Sequence, residues 1–124
     1  MTGHDAIDRN VQIGHVHLKV ADLARSLEFY EGVLGFELTQ RYGSEAAFLS
    51  AGGYHHHIAI NTWESLGGAP PASGTTGLYH LAILYPTRGA LADALPTVER
   101  QSDHMPNVNR PERVCPDRRA LVSD

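Results

Sequence analysis

The chain has 124 residues, enough for one domain with one modest core, and its net charge of −4 offers no basic field for a phosphate backbone, which argues against nucleic acid as a partner. No apolar run is long enough to span a bilayer, and the opening MTGHDAIDRN lacks the apolar stretch of a secretory leader. A single cysteine, Cys115, excludes an internal disulfide, so a cytoplasmic protein with no membrane partner is expected. The excess of eight histidines, three of them consecutive at His55, His56 and His57, is the composition's pointer to function.

Residues 1–10 are polar and read as a loose lead-in. Residues 12–20, QIGHVHLKV, alternate, with Val16, Leu18 and Val20 on one face and Ile13, His15, His17 and Lys19 on the other, which predicts a strand. Asp22 is placed to cap a helix whose Leu23, Leu27, Tyr30 and Leu34 form an apolar stripe, with Gly35 as its stop. Three short strands are predicted next, over 36–41, 46–50 and 55–63, separated by turns at Gly43 and at Gly52-Gly53. Residues 64–76 are a Gly, Pro, Ser and Thr linker with no phosphate-loop pattern. Residues 77–85, GLYHLAILY, predict a second apolar strand. A helix capped by Thr87 should then run to about Arg100, with Leu91, Ala94, Leu95 and Val98 as its apolar side and a kink or early stop at Pro96.

The shift that places His15 on His80 also places Asp22 on Thr87 and Tyr30 on Leu95. A strand–helix pair recurs with a histidine at the same point of each strand, as a duplicated module would require. The expected organisation is a first module over about 11–63, a linker over 64–76, a partial second module over 77–104 and an atypical polar tail over 105–124.

The stretches IGHVHLKVADLARSLEFYEGVLGFEL, AAFLSAGGYHHHIAINTWES and GTTGLYHLAILYPTRGALADAL resemble the vicinal oxygen chelate superfamily of glyoxalases, bleomycin-resistance proteins and extradiol dioxygenases. The chain looks most like the small catechol 2,3-dioxygenase-like branch. The resemblance implies an α+β fold in which paired βαβββ modules form an incomplete barrel. It implies that His15 and His80 are metal ligands, with a glutamate late in the second module as the third. Two imidazoles and a carboxylate with open positions suit non-haem Fe(II), with Mn(II), Zn(II) or Ni(II) as other occupants. A catechol or similar small aromatic diol is the implied substrate. By spacing, His56 matches the proton-carrying histidine of extradiol relatives best, and His57 next.

The closing strands of the second module are not visible in MPNVNRPERVCPDRRALVSD, whose acids Glu112, Asp117 and Asp124, with Asp103 upstream, lie in no convincing strand. A truncated or altered second module is therefore expected. Its open strand edges predict a homodimer. Three functions compete: a metal-dependent extradiol dioxygenase, a metal-free binding protein that sequesters a small molecule, and, ranked lower, a glyoxalase-type isomerase, which would want a first-module carboxylate that HHHIAIN does not offer. His17 reads as a pocket or structural residue, and Tyr54 and Trp63 as packing.

Overall fold

Alternation builds the first strand, β1 (Val16–Lys19), in which Val16 and Leu18 are half-buried and His17 and Lys19 exposed. The computed structural model of the chain describes residues 3–102, 113–114 and 120–123. Asp22 caps the helix α1 (Leu23–Leu27), its carboxylate accepting from the Arg25 N–H at 3.0 Å. After one α-helical turn the backbone widens into a π-helical turn, Glu28–Val33, marked by the Leu34 N–H donating to the Phe29 carbonyl at 2.9 Å. Gly35 then takes φ 80°, and the Phe36 N–H folds back onto the Tyr30 carbonyl at 3.0 Å, ending the helix where the sequence predicts.

The expected apolar stripe holds through Leu23, Leu27 and Tyr30, which pack in the sheet-side cluster, while Leu34 packs against a second one. Leu23 and Leu27 face the sheet, while the widened turn buries Phe29 and Val33 in a different direction. One helical segment thus serves two apolar clusters.

Strands β2 (Glu37–Tyr42), β3 (Ala46–Ser50) and β4 (Ile58–Asn61) complete the module. The four strands form an open sheet in the order β1-β4-β3-β2, with β1 and β4 parallel and the remaining pairs antiparallel. Ala47, Leu49, Ile58 and Ile60 lie with Leu23 and Leu27 in the cluster between sheet and helix, joined by Val16, Leu18 and Val20. Burying each large apolar side chain contributes about 1.5–3 kcal/mol. β4 begins later than the sequence predicts, at Ile58, so His55 and His56 precede the strand.

The segment after β4 does more than connect. The Ser65 hydroxyl donates to the Val20 carbonyl at 2.8 Å, and the Gly67 N–H donates to the Ala21 carbonyl at 2.8 Å. These bonds pin the start of the linker to the corner between β1 and α1.

The duplication is visible in backbone and caps. β5 (Leu81–Leu84) follows His80 as β1 follows His15, and α2 (Arg88–Ser102) follows Thr87 as α1 follows Asp22. The Thr87 hydroxyl accepts from the Ala90 N–H at 3.1 Å, the counterpart of the Asp22 cap. α2 runs to Ser102, close to the end expected near Arg100, and of the kink or early stop expected at Pro96 the early stop does not occur. Pro96 and Ala92, the residue whose carbonyl would otherwise receive the missing N–H, are both exposed, a position at which solvent can offset the lost bond. Leu91 is buried against Phe29 and Val33, with Leu95, Ile83 and Tyr85 packed around them. Val98 has its side chain outside the described residues.

Two strands occupy the segment read as a polar tail: β6 (Arg113–Val114) and β7 (Ala120–Ser123). They form a second open sheet in the order β5-β7-β6, all antiparallel. The fold is thus α+β with two open sheets, and the second departs from the first because β5 meets an antiparallel neighbour where β1 meets a parallel one. Asp103, Glu112, Cys115, Asp117 and Asp124 lie outside the described residues. Among the described residues no helix is long and apolar enough to cross a membrane.

Candidate active site on the open face of the first sheet

Since Val16, Leu18, Ile58, Ile60, Ala47 and Leu49 turn toward α1, the alternate residues of the same strands occupy the opposite face. Register puts His17, Ala59 and Phe48 in one row across β1, β4 and β3, and Lys19, Asn61 and Ala46 in the next. Ala59 and Ala46 are fully buried, which makes a low floor between larger side chains.

A band of rings crosses this face. His15 lies 4.4 Å from His56 and 5.9 Å from His55, centroid to centroid. His56 lies 5.0 Å from Phe48, Phe48 lies 6.2 Å from His17, and His17 lies 5.4 Å from Trp63. Tyr54 covers the other end at 4.1 Å from His55, and its hydroxyl sits where a Cβ on Gly14 would come within 3.1 Å. The glycine before His15 therefore makes room for this packing.

The three consecutive histidines do different things. Because His55 and His56 precede β4, strand alternation does not separate them, and both rings approach His15. Their Nδ1 atoms are 2.8 Å apart, so one shared proton joins them and the His56 Nε2 is left for another partner. Burial, and then the neighbouring His15, His55, His17 and His57, push the His56 pKa below the ordinary imidazole value. His57 turns to the β3–β4 connection: the Ala51 N–H donates to its Nδ1 at 3.2 Å, with the Ser50 hydroxyl also 3.2 Å away. His80 is exposed just before β5, and its ring contact among the described residues is with Tyr79 at 5.3 Å.

Two polar contacts were not legible in the sequence. Asn61 is 5% exposed; its Oδ1 accepts from the Trp63 N–H at 3.1 Å, and its Nδ2 lies 2.9 Å from the His17 Nε2. Trp63, read as a packing residue, is 51% exposed beside that ring. An amide closing the apolar run of IAIN was the available signal.

Residues 12–124 match the family described as the Glyoxalase/Bleomycin resistance protein/Dioxygenase superfamily. The chain belongs to that superfamily. It is also 44% identical over 75 residues to a protein named catechol-2,3-dioxygenase from Bacillus subtilis (strain 168). That match takes in 60% of this chain and 26% of the relative, so the chain spans about a quarter of that protein's length.

Superfamily membership and this relative imply a divalent metal, and the donor chemistry meets that implication in part. The described residues include imidazoles, a ligand type suited to Fe, Zn or Ni. Among them, no group of three or more His, Cys, Asp or Glu side chains is arranged to hold an ion. The acids considered for the third ligand, Asp103, Glu112, Asp117 and Asp124, all lie outside the described residues.

Proposed function

We propose that the chain is a metal-dependent dioxygenase of the extradiol kind, acting on a catechol or similar small aromatic diol. The observation that carries this reading is the approach of His56 to His15 on an open sheet face, a proton carrier beside a metal-binding type of side chain. His15 and His80, at equivalent points of the two modules, would hold the ion. The ion, when bound, supplies Lewis acidity toward vicinal oxygens and redox chemistry toward dioxygen, for which Fe(II) is suited.

His56 carries the proton chemistry in this reading. Its lowered pKa keeps it neutral near pH 7, the form that takes a proton from a diol hydroxyl at Nε2 while His55 engages Nδ1. His57 serves instead to hold the Ser50–Ala51 turn against the start of β4. The absence of a three-ligand group among the described residues favours a second reading, a non-catalytic protein that binds the same class of small molecule.

Metal content and catechol turnover of the full chain, purified without chelator and then supplied with Fe(II), separate these readings. His15→Ala or His80→Ala should lose most of the metal. His56→Gln should retain metal and lower turnover by about 10²–10⁴-fold, the range of a general acid–base group. Iron-loaded protein that binds catechol but yields no ring-opened product would remove the enzyme reading and leave the binding one.

A further inference from the structure

We propose that His17, held by Asn61 and set between Trp63 and Phe48, is a subsite for the hydrogen-bond-accepting substituent of a planar aromatic ligand. Asn61 anchors the subsite. Its Oδ1 is occupied by the Trp63 N–H, which fixes the orientation of the amide and makes the Nδ2 group the donor toward the His17 Nε2. A neutral His17 then carries its proton on Nδ1. Among the described residues, no side chain engages that nitrogen, and the His17 ring is exposed. A nearly buried amide thus fixes the tautomer and holds the ring of an exposed histidine whose second nitrogen is left as a donor.

The surroundings suit a flat apolar ring. Trp63 and Phe48 flank His17 at 5.4 and 6.2 Å, and the row between His17 and Phe48 has only Ala59 beneath it. Such faces stack aromatic rings in offset or edge-on arrangements. The next residue on this face of β1, Lys19, is already paired with Glu64, so the His17 N–H rather than a free ammonium meets the substituent.

Position gives the subsite its meaning. His17 is two residues along the chain from His15, roughly 6–7 Å at strand rise. A ring whose diol end lies by His15 and His56 would reach His17 with the substituent at its far end. This placement rests on the proposed function, whereas the donor and the aromatic walls do not.

The test uses the full chain in the presence of chelator, so that neither metal nor turnover enters the result. Trp63 is the chain's single tryptophan, and its emission reports the subsite. Benzoate offers ring and acceptor, toluene the ring alone, and acetate the acceptor alone. Benzoate should change the emission saturably, with toluene at least about tenfold weaker, as expected for one hydrogen bond to a charged acceptor. Acetate should be silent. His17→Phe keeps an aromatic wall but removes the donor, and should erase the preference for benzoate over toluene. A denaturation midpoint close to the parent's establishes that the variant is folded. Equal responses to benzoate and toluene, no saturable response to benzoate, or a preference retained in His17→Phe would each overturn the proposal. A protein that cleaves catechol yet gives any of those results would keep its proposed function and lose this subsite. The reverse outcome would keep the subsite in a protein that only binds.

Discussion

Phe29 is the residue through which the two modules share a core, and its removal has a calculable consequence. It is 2% exposed at the widened helical turn, packed with Val33 and Leu91 and surrounded by Ile83, Tyr85 and Leu95 of the second module. Phe29→Ala deletes a buried ring and leaves a cavity between two helices that the short turn cannot easily close, at a cost of about 3–5 kcal/mol. A chain of this length has a total stability of about 6–19 kcal/mol, so the loss is a large fraction of it. With a urea slope of about 2 kcal/mol/M, the midpoint should fall by about 1.5–2.5 M. Phe29→Leu, which keeps most of the volume, should cost less than about 1.5 kcal/mol. Equilibrium urea unfolding should be followed by two probes: Trp63 emission, which reports the first module, and helical circular dichroism, to which α2 contributes strongly. In the parent the two curves should coincide, since one core spans both modules. A loss below about 1 kcal/mol for Phe29→Ala, or parent curves that already separate, would refute the shared core.

Two further outcomes follow from the caps and from His56. Asp22→Ala and Thr87→Ala should each cost about 1 kcal/mol in the same urea experiment, because each strips one first-turn N–H of its acceptor; a loss at only one of them would mean that the second cap does not repeat the first. The folded-state pKa of His56 lies below its unfolded value near 6.5, so in the window between the two the unfolded chain binds more protons. Stability should therefore fall as pH drops through 6.5 and level off below the folded-state pKa. Urea midpoints between pH 7.5 and 5 should show this slope, and His56→Gln should reduce it; a midpoint that rises on acidification would contradict the assignment.

Much of the fold could be read because it rests on short-range rules. Alternation around Val16 and Leu18, the caps at Asp22 and Thr87 and the stop at Gly35 each depend on residues within a turn of one another. The π-helical turn was not legible, since a change of pitch over six residues leaves no periodic mark in EFYEGV. Strands β6 and β7 escaped because RV and ALVS are too short to alternate detectably and are specified by pairing, β7 with β5 and β6 with β7. At the candidate site, the residue types were readable and their partnerships were not. His15, His56 and His80 stand out by type and position, but the contact of Asn61 with His17 joins residues 44 apart and is set by the parallel register of β1 and β4. The His55–His56 contact depends on β4 starting at Ile58, a boundary that counting the three histidines into the strand places too early.

The bonds from Ser65 and Gly67 to the β1–α1 corner also set the length of the leash on the second module. The connecting chain begins after Gly68 and ends at His80, just before β5, so residues 69–80, not the whole linker, govern how far the modules can part. A coil of that length has a root-mean-square span of about 20 Å. Confinement to such a radius gives an effective concentration in the millimolar range, so the Phe29–Leu91 contact re-forms as an intramolecular event even when it opens. Lengthening the leash within 69–76 should dilute the second module only slowly, because closure entropy grows with the logarithm of loop length. Cutting the two tethering bonds would lengthen it from the other end, without inserting a single residue.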